Sequence, residues 1–298
     1  MSAPATHGRR LRPTLVGLAW ISPWLAGFGL FMALPIGMSL YYSLTDFPLL
    51  EPPVWVGLEN YLALARDPIF RIAVRNTAVF TAIFVPAATL LALALASLLN
   101  QPTRWRTVYR GVIFLPSLVP MIASVMVWMW LFNADKGAIN RGLALVGVSG
   151  PNWLGDGRWA LLAMVLMSLW TIGQTVVIYL AALQEVPRAL YEAAAIDGAG
   201  PIRRFRHVTA PSISPAILFN VITMTVAALQ FFIVPFIMTE GGPNRATYMY
   251  THYLFDNAFV FRRMGFASAL AWAQFLITLA LTAALWGMSR RLVHYRSA

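Results

Sequence analysis

Six long runs of this chain contain no charged side chain: Pro13 to Thr45, Asn76 to Leu99, Gly111 to Ala134, Trp159 to Gln184, Val208 to Thr239 and Met264 to Ser289. Each exceeds the roughly 20 residues a helix needs to cross a bilayer. Hydrocarbon cannot satisfy a bare backbone N–H or C=O, so each run is expected to be helical through most of its length. The pattern predicts an all-α, polytopic membrane protein of six transmembrane helices, a single membrane domain over residues 1–298, with both termini on one side. Prolines at 23, 35, 86, 116, 120, 215 and 235 fall inside these runs, so bent helices are expected.

Between the fourth and fifth runs lies a charged island, EAAAIDGAGPIRRFRHVTAP, from Glu192 to Pro211. Pro187 is placed to open a short helix and Gly198 to close it, while Arg188 and Glu192, four apart, bring opposite charges to one face. That helix is about ten residues, or roughly 15 Å, long. Ala193, Ala194 and Ala195 let another backbone approach closely, with Leu190 and Ile196 offering apolar contact and Glu192 and Asp197 offering charge. Such a surface suits docking into a groove of another protein.

Composition agrees with a bilayer environment, since 59% of residues are apolar and only 11% charged. The two termini with loops 100–110 and 185–207 carry thirteen of the 22 basic residues in 55 positions, whereas loops 46–75, 135–158 and 240–263 carry nine in 78. By the positive-inside rule the first set is cytoplasmic, and the island at 192 with it. The net charge of +11 is scattered over short loops without a stacking platform or groove-entering motif, which argues against nucleic-acid binding. Arg9, Arg10 and Arg12 precede a run longer than a signal-peptide core, so it reads as an uncleaved first helix. Cysteine is absent, which excludes disulfides and thiolate chemistry.

No run holds an ionisable side chain in its body, an argument against proton relays and ion-coupled carriers, although an ATP-independent carrier or channel stays as the alternative class. The polar residues in the runs are Thr171 and Gln174 in the fourth, Asn220, Thr223 and Gln230 in the fifth, and Gln274 and Thr278 in the sixth. Two readings stand for them: they line one cavity suited to an uncharged polyhydroxyl solute, or they hydrogen-bond helices together. The outer loops are aromatic, with Trp55, Tyr61, Trp153 and the stretch TEGGPNRATYMYTHY from Thr239. Those rings anchor at the membrane interface or meet a partner outside it. No phosphate-cradling G-x-x-x-x-G-K-[ST] loop exists, and the single lysine, Lys136, sits in an outer loop. His7, His207, His252 and His294 lie far apart, in loops or tails, so neither a catalytic nor a metal site is expected. Any driving motor must be another polypeptide.

The island resembles the cytoplasmic loop of permease subunits in bacterial ATP-binding-cassette importers, whose pattern is roughly E-A-A-x-x-D-G-A, a spacer, then F and I-x-L-P. Glu192, Ala193, Ala194, Asp197, Gly198, Ala199, Phe205 and Pro211 stand at the matching places, with Val208 and Ala210 replacing the usual Ile and Leu. Arg110 to Pro116, Thr239 to Pro243 and Gly265 to Ala269 are similar to the carbohydrate branch, the maltose-type and glycerol-phosphate-type permeases, in the member carrying a Gly241-Gly242-Pro243 loop. The resemblance implies a type I importer fold in a bacterial cytoplasmic membrane, with residues 185–211 as the coupling loop. It also implies a second homologous permease, two copies of a cytosolic ATPase holding the ATP and Mg, and an extracytoplasmic solute-binding protein. This chain would itself carry no cofactor. Glu192, Ala193, Ala194, Asp197 and Gly198 would seat in the ATPase. The solute is expected to be a sugar or oligosaccharide; glycerol phosphate, a polyol or a peptide are the alternatives.

Overall fold

The charge-free runs fold as helices, but only three do so without a sharp break. In the computed structural model, which describes residues 11–102 and 104–292, Leu15–Ser43, Pro68–Leu99 and Met264–Ser289 are long and apolar enough to cross a membrane. The other three runs are helix pairs: Arg106–Leu118 with Met121–Leu131, bent by 99°, Gly157–Trp170 with Gly173–Gln184, bent by 50°, and Pro201–Ser212 with Ser214–Leu229, bent by 72°. The count of spans is therefore three, or up to six if each bent pair is one span. His7, Arg9, Arg10 and His294 lie outside the described residues.

In chain order, α1 (Leu11–Phe28) continues through a π-helical turn into α2 (Leu34–Ser43), followed by strands β1 (Thr45–Asp46) and β2 (Val54–Trp55). Then come α3 (Glu59–Arg66), α4 (Pro68–Leu99), α5 (Arg106–Phe114), α6 (Met121–Leu131), α7 (Ala138–Leu145), α8 (Gly157–Trp170) and α9 (Gly173–Gln184). The remainder comprises α10 (Arg188–Ile196), α11 (Pro201–Arg204), α12 (Ala210–Ser212), α13 (Ser214–Leu229), α14 (Ile233–Thr239), α15 (Tyr250–Phe255) and α16 (Met264–Leu292). The chain forms two compact units, one from the stretch up to Ala65 with Asn257–Ala273, the other from Arg66–Asp256 with Gln274 onward.

In the first unit, α1, α2 and the π-helical turn between them expose apolar side chains, with Trp20 of α1 83% and Phe31 of the turn 76% accessible, as suits a helix surrounded by lipid or by another subunit. The two short strands pair antiparallel, Thr45 opposite Trp55. The Asn60 amide donates to the carbonyls of Ser43 (3.0 Å) and Thr45 (2.9 Å), closing the turn out of α2. The start of α16 lies against the same strand: Gly265 N–H donates to Phe47 O, and a Cβ at 265 would stand 2.0 Å from the Thr45 carbonyl oxygen. Only glycine permits that approach.

The second unit is organised around α4, against which α8, α9, α13 and α15 pack. Ala73, Ala88, Ala92 and Ala96 of α4 are fully buried, small side chains that let neighbouring helices come close. Phe80 stacks on Phe231 with ring centroids 4.2 Å apart. The proline expectation holds in part. Pro120 caps α6 at the sharpest bend and Pro215 enters α13 just after another, but Pro86 lies within the unbroken α4. The break at Thr171–Ile172 has no proline at all. It lies beside a close approach: Gly173, the first residue of α9, faces the end of α5, where a Cβ would meet Ile113 O at 2.6 Å and Phe114 Cα at 2.9 Å.

Candidate functional site

The segment expected to dock a partner does form a helix, α10, nine residues long with Pro187 as its N-cap and Asp197 as its C-cap. Its end is closed by two reciprocal bonds, Gly198 N–H to Ala195 O (3.1 Å) and Ala199 N–H to Ala194 O (2.9 Å), with Gly198 in the left-handed region at φ +70°. This is a Schellman motif, and it uses glycine because a side chain there would strain the backbone even though nothing stands within 4 Å of the Cβ position. Beyond it, Arg204 Nε donates to Ala199 O (2.7 Å), and Tyr191 OH pairs with Thr209 Oγ1 (3.0 Å), tying α10 to the stretch that leads into α13.

Most of the side chains expected to dock a partner are open to solvent on α10. Glu192, Ala193, Asp197 and Gly198 are exposed, Ala194 is half-buried, and Ile196 and Ile202 are 88% and 85% accessible. One expectation fails: among the described residues Arg188 and Glu192 form no ion pair. An Arg preceding a Glu by four is the weaker helical orientation, and at two exposed side chains it does not repay their loss of freedom. Arg188 turns instead toward a cavity that it shares with Arg106 and Arg110.

The polar residues of the charge-free runs are dispersed rather than gathered in one enclosed cavity of this chain. Thr171 and Gln230 sit at helix breaks, as the caps ending α8 and α13, and Gln174 is the second residue of α9, just past the break at Thr171. Gln174, Thr223 and Gln230 are exposed, whereas Asn220 is buried and donates to Ala216 O (3.0 Å). Thr223 donates to Phe219 O (2.9 Å) of its own helix. Gln274 alone bridges elements, its amide reaching Leu229 O (2.8 Å) and Thr251 Oγ1 (3.2 Å). It lines a cavity of about 410 Å³ whose walls are otherwise mostly apolar, with Val221, Leu281 and Leu285 among them.

The Gly241-Gly242-Pro243 loop is a closed clasp. Glu240 and Gly241 adopt left-handed backbone, and a Cβ at 241 would strike the Tyr248 ring at 2.6 Å. Thr247, fully buried, donates to Gly242 O (2.7 Å) and pairs with Thr239 Oγ1. Helix α4 holds the clasp from outside: Asn76 Nδ2 donates to Arg245 O (2.7 Å) and Tyr248 O (3.1 Å), and Thr77 Oγ1 accepts from Tyr250 N–H (2.9 Å). The aromatics here are not interface anchors. Tyr250, His252 and Tyr253 are buried, as is Trp153, whose indole N–H donates to Asn140 Oδ1 (2.7 Å).

His252, expected in a loop, thus sits on a buried helical turn. Burial depresses its imidazole pKa, partly opposed by Asp256 and Glu240. Tyr248 donates to Asp256 Oδ2, and burial together with that carboxylate pushes its phenol far up. Burial raises the Tyr250 phenol likewise. Sequence spacing carried one signal for this cluster, the aromatic density of TYMYTHY, but not its burial.

Bent and broken apolar helices, an exposed capped helix on one loop and a locked glycine-rich clasp on another are features of a membrane transport component. The chain matches the family described as binding-protein-dependent transport system inner membrane component over residues 85–294, and it belongs to that family. It is 35% identical to the sulfoquinovosyl glycerol transport system permease protein SmoG of Agrobacterium fabrum, over 90% of this chain and 88% of that one. It is 33% identical to the trehalose/maltose transport system permease protein MalF of Thermococcus litoralis, over 93% and 94%. Its fold is shared, at a TM-score of 0.83 and 18% identity, with a chain in the crystal structure of a bacterial alginate ABC transporter in complex with alginate pentasaccharide-bound periplasmic protein, covering 98% of this chain and 100% of that chain.

Proposed function

We propose that this chain is the permease subunit of an ATP-driven, binding-protein-dependent importer that moves a sugar or oligosaccharide across the cytoplasmic membrane by alternating access. The observation that carries this reading is α10: a short, capped helix with one nearly bare isoleucine at its last position and a second just beyond it, on a chain without a nucleotide-binding loop. Its apolar surface and its Glu192 and Asp197 carboxylates are completed by a groove on a separate cytosolic ATPase, two copies of which hold the ATP and Mg. Closure of that groove around ATP drags α10 and rocks this subunit against a second, homologous permease.

On this reading each bent helix pair counts as one span, giving six spans and both termini in the cytoplasm. The solute path runs between the two permeases, which accounts for Gln174, Thr223 and Gln230 being exposed on this chain by itself. Side chains of amide and hydroxyl type, without an ionisable group in the runs, suit a neutral polyhydroxyl solute better than a phosphate or carboxylate. The relative named for trehalose and maltose supports a neutral sugar, and the one named for sulfoquinovosyl glycerol supports a sugar-based solute although its sulfonate is charged. The clasp at Gly241, Gly242 and Pro243 faces the solute-binding protein outside the membrane.

The test is reconstitution of the chain with its second permease and ATPase in vesicles, supplied with the binding protein and its ligand. ATP-dependent uptake is expected, and it is lost, together with ligand-stimulated ATP hydrolysis, in Ala194→Trp, which still inserts. ATPase copurification is expected to fail in the Glu192→Gln, Asp197→Asn double variant. Undiminished uptake by the first and copurification by the second overturn the coupling role.

A further inference from the structure

We infer that the cavity between the start of α5, the end of α9 and the first turns of α10 is a binding site for a phosphate group, supplied by an anionic phospholipid headgroup. The cavity, about 440 Å³, is lined by Asn100, Arg106, Arg110, Gln184, Arg188 and Tyr191. Three guanidinium groups therefore converge there, and among the described residues none of them has a carboxylate within 4.0 Å. With its amide oriented to satisfy its neighbours, Gln184 accepts from Nη2 of both Arg106 (2.5 Å) and Arg110 (2.7 Å). Two cations thus share one neutral oxygen. The Nε atoms of Arg106 and Arg110 are buried and have no hydrogen-bond partner.

Like charges four apart on one helix face repel, and buried N–H donors without acceptors are costly, so the arrangement is short of an anion with several acceptor oxygens. Phosphate fits: guanidinium forks match its oxygens two at a time. The space is much larger than the bare ion and leaves room for an ester.

The neighbourhood points to lipid as the source. The other side of α5 exposes Trp105 (61%), Val108 (53%), Tyr109 (50%) and Val112 (65%), an apolar surface with aromatics at its start, as at a bilayer boundary. The arginines one helix face away then lie at headgroup depth, where anionic lipid attracts basic side chains. Arg188 and Tyr191 belong to α10, so a phosphate held here bridges α5 to that helix. Only this consequence for coupling rests on the proposed transport role; the site itself does not.

The test is native mass spectrometry of the full-length chain with its copurifying subunits, delipidated in mild detergent and titrated separately with phosphatidylglycerol, phosphatidylcholine and inorganic phosphate. Phosphatidylglycerol is expected to bind in preference to phosphatidylcholine, and roughly tenfold or more weakly to the Arg106→Gln, Arg110→Gln double variant. If that variant does not fold, Arg188→Gln, at the exposed first turn of α10, is expected to weaken binding several-fold. Equal phosphatidylglycerol binding by wild type and variants, or no preference over phosphatidylcholine, overturns the site. Arginine-dependent binding of inorganic phosphate without phosphatidylglycerol binding overturns the lipid source and keeps the phosphate chemistry. Loss of uptake with binding intact bears on the transport role alone.

Discussion

The two loops that carry family motifs in this chain are built on opposite plans. The stretch around Glu192 shows its side chains to solvent, with Ile196 and Ile202 almost bare, and holds its shape through backbone caps and two side-chain ties. The stretch from Thr239 to Asp256 buries Thr247, Met249, Tyr250, His252 and Tyr253 and is bonded to α4 through Asn76 and Thr77. A segment that finishes its own packing needs no partner to be rigid. One that leaves apolar side chains outside while fixing its backbone is shaped for a partner to complete. Motif density does not by itself separate a segment left open to solvent from one packed shut against its own chain; burial does.

Several substitutions sharpen or break that contrast. Gly198→Pro removes the N–H that bonds Ala195 O and forbids the positive φ, so uptake in reconstituted vesicles is expected to be abolished while the thermal midpoint of the subunit moves little. A large fall in that midpoint would mean that the island is a stability element after all. Thr77→Val, on α4 where it holds the clasp, leaves the Tyr250 N–H without its acceptor and is expected to cost ~1–3 kcal/mol, read as a lowered midpoint in thermal melts. Retained stability would show the clasp to be held elsewhere.

A smaller effect is expected from acid. Because burial holds the folded His252 below its ordinary value of 6.5, the unfolded chain takes up that proton first. Stability is therefore unchanged by this residue above about pH 6.5 and is lost as pH falls below it, until the folded imidazole itself protonates. His252→Gln should flatten that segment of the midpoint-versus-pH curve, and an unchanged slope would assign the acid sensitivity to other groups. The smallest stability effect, within about 0.5 kcal/mol, is expected for Ile196→Ser with Ile202→Ser, since both positions are already in solvent. Yet this pair should reduce ATPase copurification, and normal recovery of the ATPase would remove the isoleucines from the docking surface.

The helix starts and stops around α10 were legible because they rest on local rules: proline before a helix, a left-handed glycine after it, and charges flanking small residues. The Arg188–Glu192 pair was not, since three other arginine and glutamine side chains compete for the same space only after α5 and α9 are brought together. The break at Thr171 left no trace in composition for the same reason.

What the order of residues settled alone is the class of molecule and its hydrophobic runs, because the cost of an unsatisfied backbone in hydrocarbon depends on composition and length. It also settled the caps of α10, which involve neighbours within six positions. Only the tertiary structure decided where the runs break, that Gly173 and Gly265 are sites of close backbone approach, that the aromatics after Met249 are core rather than surface, and that three arginines face one cavity. Those features depend on contacts between residues tens to hundreds of positions apart, and steric exclusion and burial between distant segments leave no periodic mark along the chain.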